Sequence, residues 1–304
     1  MLKVERVSKV YRVGTFGRKR LLALRDVTFG VEPGEVVSLI GESGSGKTTV
    51  GRTILRLSPV SGGSITFGGA DIAAFGRREL KAYYREVQGV FQDPFSSYNP
   101  IFKADRVFSV IRQEFFGGVR GADWRRKVGD SLEAVSLNPA DVLNKYPHQL
   151  SGGQLQRMLI ARALLLDIRF LVADEIISML DASTRIDVLN LLGNLKSRGL
   201  GILFITHDLS LGHYISEKTV ILRRGVVVEM GSTERIFANP LHAYTKTLLA
   251  SVPQLHRKWD EVEAELRAQP GGNGARPAVE SSWDGDGAEL VEAEPGHFVR
   301  SGDV

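Results

Sequence analysis

A glycine-rich stretch, GESGSGKTT at residues 41–49, carries the residue types that bind phosphate groups. It fits the spacing G-x-x-x-x-G-K-[ST], with an apolar run before it and a helical pattern after it. In such a turn, backbone N–H groups converge on phosphate oxygens, and the helix N-terminus adds positive potential. A Gly/Ser-rich turn with an incidental lysine is the alternative, but strand, loop and helix all favour a nucleotide site. The expected contacts are Gly41, Ser43, Gly44, Gly46, Lys47, Thr48 and Thr49.

Two adjacent carboxylates, Asp174 and Glu175, end the apolar run FLVA. Buried strands do not normally end in paired, unneutralised charges. Beside a phosphate loop, these acids suit phosphoryl transfer. Lys47 would reach the β- and γ-phosphates, while Thr48 and Asp174 would hold Mg²⁺, the carboxylate through water. Glu175 would polarise the water that attacks the γ-phosphate, and the combination therefore predicts a nucleoside triphosphatase.

A second glycine turn, LSGGQ, opens another helix downstream. Ser151, Gly152 and Gly153 precede one apolar stripe, which contains Leu155, Met158, Leu159 and Leu166. A Ser-Gly-Gly turn at a helix N-terminus is either a second anion site or a simple N-cap. Because one nucleotide does not need two phosphate loops, an anion site here makes chemical sense if it serves a nucleotide held by another subunit.

The elements that must position these residues alternate between strands and helices. Buried strands are predicted in EVVSLI (residues 35–40), RFLVA (169–173) and GILFIT (201–206), and each stops at a polar or glycine turn. A hairpin is predicted to turn near Arg224–Gly225. The segment at 183–199 predicts an amphipathic helix with Asp181 or Ser183 as its cap and with one apolar stripe, Ile186, Leu189, Leu192 and Leu195. This alternation indicates an α/β core around a mainly parallel sheet.

Composition narrows the class of protein. The chain has 304 residues, of which 43% are hydrophobic and 24% charged, and no stretch approaches the length of a membrane span. The N-terminus lacks an apolar signal-peptide core, so export is not expected. Cysteine is absent, which excludes disulfides and thiolate-bound metals. Residues 260–304 carry a net charge of −8 and the rest +12. Such a basic region could bind nucleic acid, anionic lipid or nucleotide phosphates. The alternative is that its charges form an ordinary solvated surface.

With these motifs in order, the chain resembles the ATP-binding subunits of ABC transporters over about residues 2–253. GESGSGKTT is similar to Walker A, FLVADE to Walker B, LSGGQ to the signature and SMLD to the D-loop. Gln92, in VFQDPFSSYNP, matches the Q-loop, and His207, in FITHD, matches the switch histidine. Tyr11 resembles the aromatic residue that stacks on adenine, with Phe16 as its rival.

The resemblance implies that two cassettes close head-to-tail around two ATP molecules. Each site would take Walker A and B from one subunit and the signature from the other. It implies catalytic roles for Glu175, His207 and Gln92, and Mg²⁺ contacts from Thr48, Gln92 and Asp174. The implied contacts to the partner's ATP are Ser151, Gly152, Gly153 and Gln154, and Asp181 would couple the paired sites.

The fold implied is a P-loop NTPase cassette with an antiparallel β subdomain, a RecA-like parallel-sheet core and an inserted α-helical subdomain at about residues 93–150. That middle segment is strand-poor and rich in charge. Residues 1–253 would form the ATP-binding domain. Residues 254–304 would form a C-terminal extension with a flexible acidic linker.

Within the family, the closer resemblance is to oligopeptide/dipeptide importers. FQDPFSSYNP, YPHQLSGGQLQRMLIARAL and IFANPLHAYTKTLLASVP are similar to their segments, and GGQLQR resembles the second of two paired ATPases. The resemblance implies a heterodimer with another ATPase, two permease subunits, an extracytoplasmic solute-binding protein and a peripheral place on the cytoplasmic face of the membrane. No nucleic acid is needed. Peptides are the favoured cargo and oligosaccharides the alternative. A non-transport ABC ATPase or an inactive interaction protein fits less well.

Two departures from the subfamily stand out. Many members carry a cysteine-rich segment before a C-terminal part similar to ELVEAEPGHFVR, and this chain has none, so an iron–sulfur cluster is excluded. The family usually has Pro-Thr where this chain has Ile176-Ile177, and Ala where it has Met179. No catalytic group is lost. We hypothesise that the isoleucines mark a branch with a different partner surface or cargo.

Overall fold

The computed structural model describes residues 1–13, 19–178, 180–251 and 289–300. A four-stranded antiparallel sheet near the N-terminus has the strand order β2-β1-β4-β5. Long strands β1 and β2 pair along most of their lengths, with several register shifts. The strands of this sheet are β1 (Leu2–Val13), β2 (Lys19–Val31), β4 (Gly62–Phe67) and β5 (Ala70–Asp71).

A larger sheet of eight strands has the order β11-β12-β10-β9-β3-β8-β7-β6. Its five strands from β9 to β6 are parallel, and β10 to β12 extend it in antiparallel pairing. The bounds are β3 (Val36–Ile40), β6 (Val87–Val90), β7 (Phe170–Asp174), β8 (Gly201–Thr206), β9 (Lys218–Arg223), β10 (Val226–Ser232), β11 (Leu290–Glu294) and β12 (His297–Arg300).

The parallel arrangement of the strands determines where the predicted site residues lie. Neighbouring strands β3, β8 and β7 are in register, with Ile40 opposite Thr206 and Asp174 opposite Ile205. Their carboxyl ends therefore meet at one edge of the sheet, where ligands bind in open α/β folds. Every residue of these three strands is buried, as expected for a sheet covered on both faces.

Ten α-helices are assigned in the described part of the chain. Residues 93–150, all of them described, contain helices and irregular segments but no strand. The helices are α1 (Lys47–Ile54), α2 (Arg77–Glu86), α3 (Arg106–Phe115), α4 (Gly121–Glu133), α5 (Pro139–Val142), α6 (Gly152–Leu164), α7 (Ala182–Ser197), α8 (Leu209–Ile215), α9 (Thr233–Ala238) and α10 (Ala243–Ala250). Among the described residues, none of these helices is both long and apolar enough to cross a membrane.

Two large apolar clusters cover opposite faces of the eight-stranded sheet. In β8, Ile202 and Phe204 join the cluster that includes α3, α4 and α6, whereas Leu203 and Ile205 join the cluster beneath the antiparallel sheet. This alternation follows the two-residue period of a strand. The large sheet is therefore the layer that connects the helical segment to the N-terminal sheet.

Helix α7 differs in detail from the pattern predicted for it. Of the two predicted caps, Asp181 rather than Ser183 caps the helix. The buried residues of α7 are Val188, Leu189 and Leu192, and Ile186 is 45% exposed. Residues at three-residue steps drift around a helix, because three residues turn through about 300° when 3.6 make a turn. Over nine residues the drift reaches half a turn, so the predicted stripe could not remain on one face.

The predicted hairpin at Arg224–Gly225 is confirmed. Strands β9 and β10 are joined by these two residues, and both have positive φ angles, +45° and +83°. Such a two-residue turn matches the right-handed twist of the strands it joins.

The C-terminal segment that the structure describes, residues 289–300, forms strands β11 and β12, and β12 pairs with β10. These residues therefore add to the same sheet as β3, β7 and β8, whose ends carry the predicted site residues. The predicted acidic linker falls mostly in residues 252–288, outside the described residues. The division of the chain at residue 253 stays a prediction.

The buried face of α7 can be tested with one pair of substitutions. Leu192→Ala should lower the free energy of unfolding by about 2–5 kcal/mol, because it leaves a cavity in the core. Ile186→Ala should lower it by less than about 1 kcal/mol, because the side chain is already half exposed. Urea denaturation followed by tryptophan fluorescence measures both values. Equal losses would instead support the three-residue stripe.

Candidate functional site

The phosphate loop connects β3 to α1 and requires glycine at two positions for different reasons. A Cβ atom on Gly41 would lie 2.1 Å from the carbonyl oxygen of Leu222, so no larger residue fits there. Gly46 has a φ of +106°, in the left-handed region, and a Cβ there would also meet the carbonyl oxygen of Ala23 at 2.8 Å. The loop is therefore shaped by the strands packed behind it.

Lys47 is only 5% exposed and lies at the centre of the loop. Its Nζ donates hydrogen bonds to the carbonyl oxygens of Gly41, at 2.6 Å, and Glu42, at 2.9 Å. Burial lowers the pKa of Lys47, and the carboxylates of Glu175, Asp174 and Glu42 oppose that shift. An ammonium group has three donors, so one remains for a ligand oxygen.

Asp174 ends β7 directly beneath the loop and is 3% exposed. Burial raises the pKa of its carboxyl group, a hydrogen bond with the Thr48 side chain lowers it, and the charge of Glu175 raises it again. A cation near this carboxylate would favour its ionised form. Thr48 and Asp174 together offer the oxygen ligands that Mg²⁺ prefers. No group of three or more metal-ligating His, Cys, Asp or Glu side chains occurs within the described ranges.

Glu175 stands at the start of a strained turn. Its φ of +51° is unusual for a residue with a side chain and costs about 1–3 kcal/mol. The turn is held by hydrogen bonds from Glu175 N to the carbonyl oxygen of Ile205, at 2.9 Å, and from Ser178 N to the carbonyl oxygen of Glu175, at 3.1 Å. The carboxylate Oε1 then lies 3.2 Å from Nδ1 of His207, which follows β8.

Lys47, Glu175 and His207 line one open cleft of about 770 Å³. The cleft brings together most of the site residues predicted from the sequence, which are spread from Tyr11 to His207. Gly41 and Asp174 are not among the residues that line it. The predicted residues on its surface are Tyr11, Ser43, Gly44, Gly46, Lys47, Thr48, Thr49, Gln92, Glu175 and His207.

Four lining residues were not found from the sequence. Leu21, Leu22 and Ala23 come from β2, and Arg224 comes from the hairpin turn between β9 and β10. The hairpin itself was predictable from the sequence, but its contact with the phosphate loop was not. Gly225 N donates a hydrogen bond to the carbonyl oxygen of Ser45, at 2.8 Å, and so holds the hairpin against the loop. No local pattern encodes such a contact between distant segments.

The signature residues lie elsewhere in the described structure, because none of Ser151, Gly152, Gly153 or Gln154 lines the cleft. Ser151 caps α6: its Oγ accepts a hydrogen bond from Gln154 N, at 3.1 Å, and its N–H donates to Gln154 Oε1, at 2.9 Å. This is a capping box. These residues are therefore separate from the chain's own cleft, and their contact with a partner's nucleotide stays a prediction.

Asp181 is also separate from the cleft and caps α7. Its carboxylate accepts hydrogen bonds from Thr184 N, at 3.0 Å, from the Ser183 hydroxyl, at 2.6 Å, and from the Thr184 hydroxyl, at 2.8 Å. These hydrogen bonds, led by the Ser183 hydroxyl, lower the pKa of Asp181. A Cβ on Gly153 would lie 3.5 Å from the Thr184 methyl carbon, so the signature turn and the start of α7 are neighbours.

The placement of Ile176 and Ile177 does not agree with the hypothesis of a different partner surface. Their side chains are 1% and 2% exposed and belong to the cluster on the helical side of the sheet. They are core residues, in the same cluster as Leu180.

Two further residues singled out in the sequence, Phe16 and Met179, lie outside the described residues.

Comparison with known proteins agrees with this geometry. A family model described as "ABC transporter" matches residues 24–178. A second, described as "Oligopeptide/dipeptide transporter, C-terminal region", matches residues 228–276.

Two relatives and one solved structure cover most of the chain. A putative peptide import ATP-binding protein of Brucella ovis is 42% identical over 83% of this chain and 78% of its own. The oligopeptide transport ATP-binding protein OppF of Streptococcus mutans is 37% identical over 98% of this chain and 94% of its own. A dimeric ATP-binding cassette in a post-hydrolysis state, bound to ADP and Pi, matches with a TM-score of 0.69 and 29% identity over 77% of this chain and 99% of that one. The predicted fold class is confirmed, and the chain belongs to the ATP-binding proteins of ABC transporters.

Proposed function

We propose that the chain binds ATP with Mg²⁺ in the cleft, hydrolyses it and thereby powers a membrane importer of the oligopeptide/dipeptide type. The observation that carries this proposal is the convergence of Lys47, the Thr48–Asp174 pair and the Glu175–His207 pair at one sheet edge. Phosphoryl transfer needs positioned charges more than covalent chemistry, and these pairs supply them.

The loop residues would bind the triphosphate. Two donors of Lys47 are used within the loop, so its remaining donor would contact the β- and γ-phosphates, and the N–H groups at the start of α1 would contact the same oxygens. Tyr11, on the wall of the cleft, would stack on the adenine ring. Thr48, Asp174 and Gln92 would hold Mg²⁺, which when bound neutralises charge on the phosphates.

Glu175 would act on the attacking water. One carboxylate oxygen is held near His207, and the other is available to accept a hydrogen bond from water. His207, 60% exposed at the mouth of the cleft, would orient the γ-phosphate. The strained turn fixes the direction of the carboxylate, because the backbone N–H of Glu175 is hydrogen-bonded to Ile205 in β8.

The signature residues support a dimeric arrangement. They share a surface with the start of α7, near Asp181, and none lines the chain's own cleft. We infer that Ser151, Gly152, Gly153 and Gln154 contact the nucleotide of a partner cassette, a second ATPase in a heterodimer. The related cassette bound to ADP and Pi is likewise described as dimeric.

The remaining partners follow from the relatives, whose names refer to peptide import and oligopeptide transport. We propose two permease subunits and an extracytoplasmic solute-binding protein, with this chain peripheral on the cytoplasmic face of the membrane. Peptides are the proposed cargo, and oligosaccharides are the alternative. In a thermal-shift screen, the solute-binding protein of the system should be stabilised by short peptides. Stabilisation by oligosaccharides alone would reverse the assignment of cargo.

Lys47→Ala should weaken the binding of MgATP to the full chain by about tenfold to a hundredfold, because a charge-assisted hydrogen bond is lost. Isothermal titration calorimetry measures the affinity. Lys81→Ala is the control, because Lys81 is exposed and pairs with Glu114 away from the cleft. Unchanged affinity in Lys47→Ala would contradict the assignment of the phosphate loop.

Glu175→Gln should reduce steady-state ATP hydrolysis in the assembled transporter by at least about a hundredfold, because general-base catalysis contributes factors of that order. ATP binding should be retained, since the amide keeps the shape of the side chain. Glu234→Gln, at an exposed position in the first turn of α9, is the matched control. Undiminished turnover in Glu175→Gln would rule out the proposed role of this carboxylate.

A further inference from the structure

Helix α10 contacts the phosphate loop from outside the cleft. The phenol oxygen of Tyr244 accepts a hydrogen bond from Glu42 N, at 3.1 Å. That N–H belongs to the peptide group whose carbonyl oxygen, on Gly41, accepts a hydrogen bond from Lys47 Nζ, at 2.6 Å. One peptide group of the loop is thus held from both sides, by the lysine that faces the phosphates and by a tyrosine behind it.

Tyr244 is itself held firmly in this position. The guanidinium of Arg223, at the end of β9, lies 5.0 Å from the centre of its ring, within the range of a cation–π contact. Its backbone N–H donates to Nδ1 of His242, at 3.0 Å, which caps the helix. Burial raises the pKa of the Tyr244 phenol, because it disfavours the charged form.

The start of α10 is anchored in turn to a buried carboxylate. Glu229, on β10, is fully buried, and its two oxygens accept hydrogen bonds from Leu241 N, at 2.8 Å, and His242 N, at 3.0 Å. Nε2 of His297, on β12, lies 2.8 Å from Glu229 Oε1 and is equally buried. A continuous set of hydrogen bonds therefore runs from the C-terminal hairpin, through Glu229 and α10, to the phosphate loop.

We propose that Tyr244 is a positioning residue for the phosphate loop, and that the hairpin of residues 289–300 sets its position through His297 and Glu229. The proposal rests on the assignment of the loop as the nucleotide site. A peptide group fixed before binding does not have to be ordered by the nucleotide, which raises affinity. The C-terminal hairpin thereby contributes to ATP binding without touching ATP.

The first test is Tyr244→Phe, which removes the hydroxyl but keeps the ring beside Arg223. In the full chain, MgATP and MgADP should both bind about threefold to tenfold more weakly, because the freed peptide group must be ordered on binding. In the assembled transporter, KM for ATP should rise by a similar factor while kcat changes by less than about twofold, since Glu175 is not involved.

The matched control is Tyr214→Phe. Tyr214 is exposed on α8 and its hydroxyl donates to Asn190 Oδ1, at 3.2 Å, so the same chemical change removes a hydrogen bond remote from the loop. Its nucleotide affinity should equal that of the wild type. Circular dichroism at the temperature of the titration checks that each variant is folded. Wild-type affinity in folded Tyr244→Phe overturns the proposal.

The hairpin is tested by two substitutions of His297. His297→Leu removes the side-chain donor to Glu229, and nucleotide affinity should fall in the same direction as in Tyr244→Phe. The double variant should bind no more weakly than the weaker single variant, because both changes act through one contact. His297→Gln, which keeps an N–H donor, should restore affinity. Additive losses, or wild-type affinity in His297→Leu, would remove the hairpin from the proposal.

Lys47→Ala separates failure of this inference from failure of the proposed function. If Lys47→Ala loses affinity and Tyr244→Phe does not, the loop binds nucleotide without help from α10. If neither variant changes affinity, the assignment of the loop itself is wrong.

Discussion

The buried ammonium group of Lys47 imposes the main constraint on the nucleotide site. A charge that is 5% exposed must be compensated by nearby polar groups, or its burial would cost several kcal/mol. Two loop carbonyl groups and the carboxylates at the end of β7 provide that compensation. The loop therefore folds closely around the lysine, and the strands packed behind it leave no room for a side chain at Gly41 or Gly46. The parallel strands are what bring the carboxylates to the same edge.

In the proposed dimer, the signature turn at Ser151–Gly153 would serve two purposes. In α6, the hydroxyl of Ser151 and its carbonyl oxygen satisfy the N–H groups of Gln154 and Leu155. The N–H groups of Gly152 and Gly153 belong to the same first turn, whose partial positive charge attracts anions. Capping and anion binding are therefore compatible here. The cap fixes the turn, and the glycines allow a close approach by a phosphate group.

Sequence patterns predicted those parts of the structure that depend on neighbours in the chain. The loop glycines, the apolar strands that end in acids and the two-residue hairpin all follow from short-range chemistry. Other features depend on the packing of distant segments and have no local pattern. Arg224 reaches the cleft only because its hairpin contacts Ser45, and Ile176 and Ile177 enter the core although acids flank them. On α7, a three-residue spacing was misleading because it drifts around the helix.

The C-terminal hairpin illustrates how a buried carboxyl group can specify strand pairing where the backbone pairing is short. Among the described residues, only two pairs, Glu229 with Val299 and Met230 with Phe298, define the register between β10 and β12. So few pairs discriminate weakly between alternative registers. The fully buried carboxylate of Glu229 would lose stabilisation if any of its hydrogen-bond donors were removed. His297 reaches this carboxylate only when β12 is in this register. A slip of one residue would turn His297 to the other face of the strand and leave the carboxylate with its two backbone donors alone. The Glu229–His297 contact thus fixes the edge of the sheet, and with it the helix that contacts the phosphate loop.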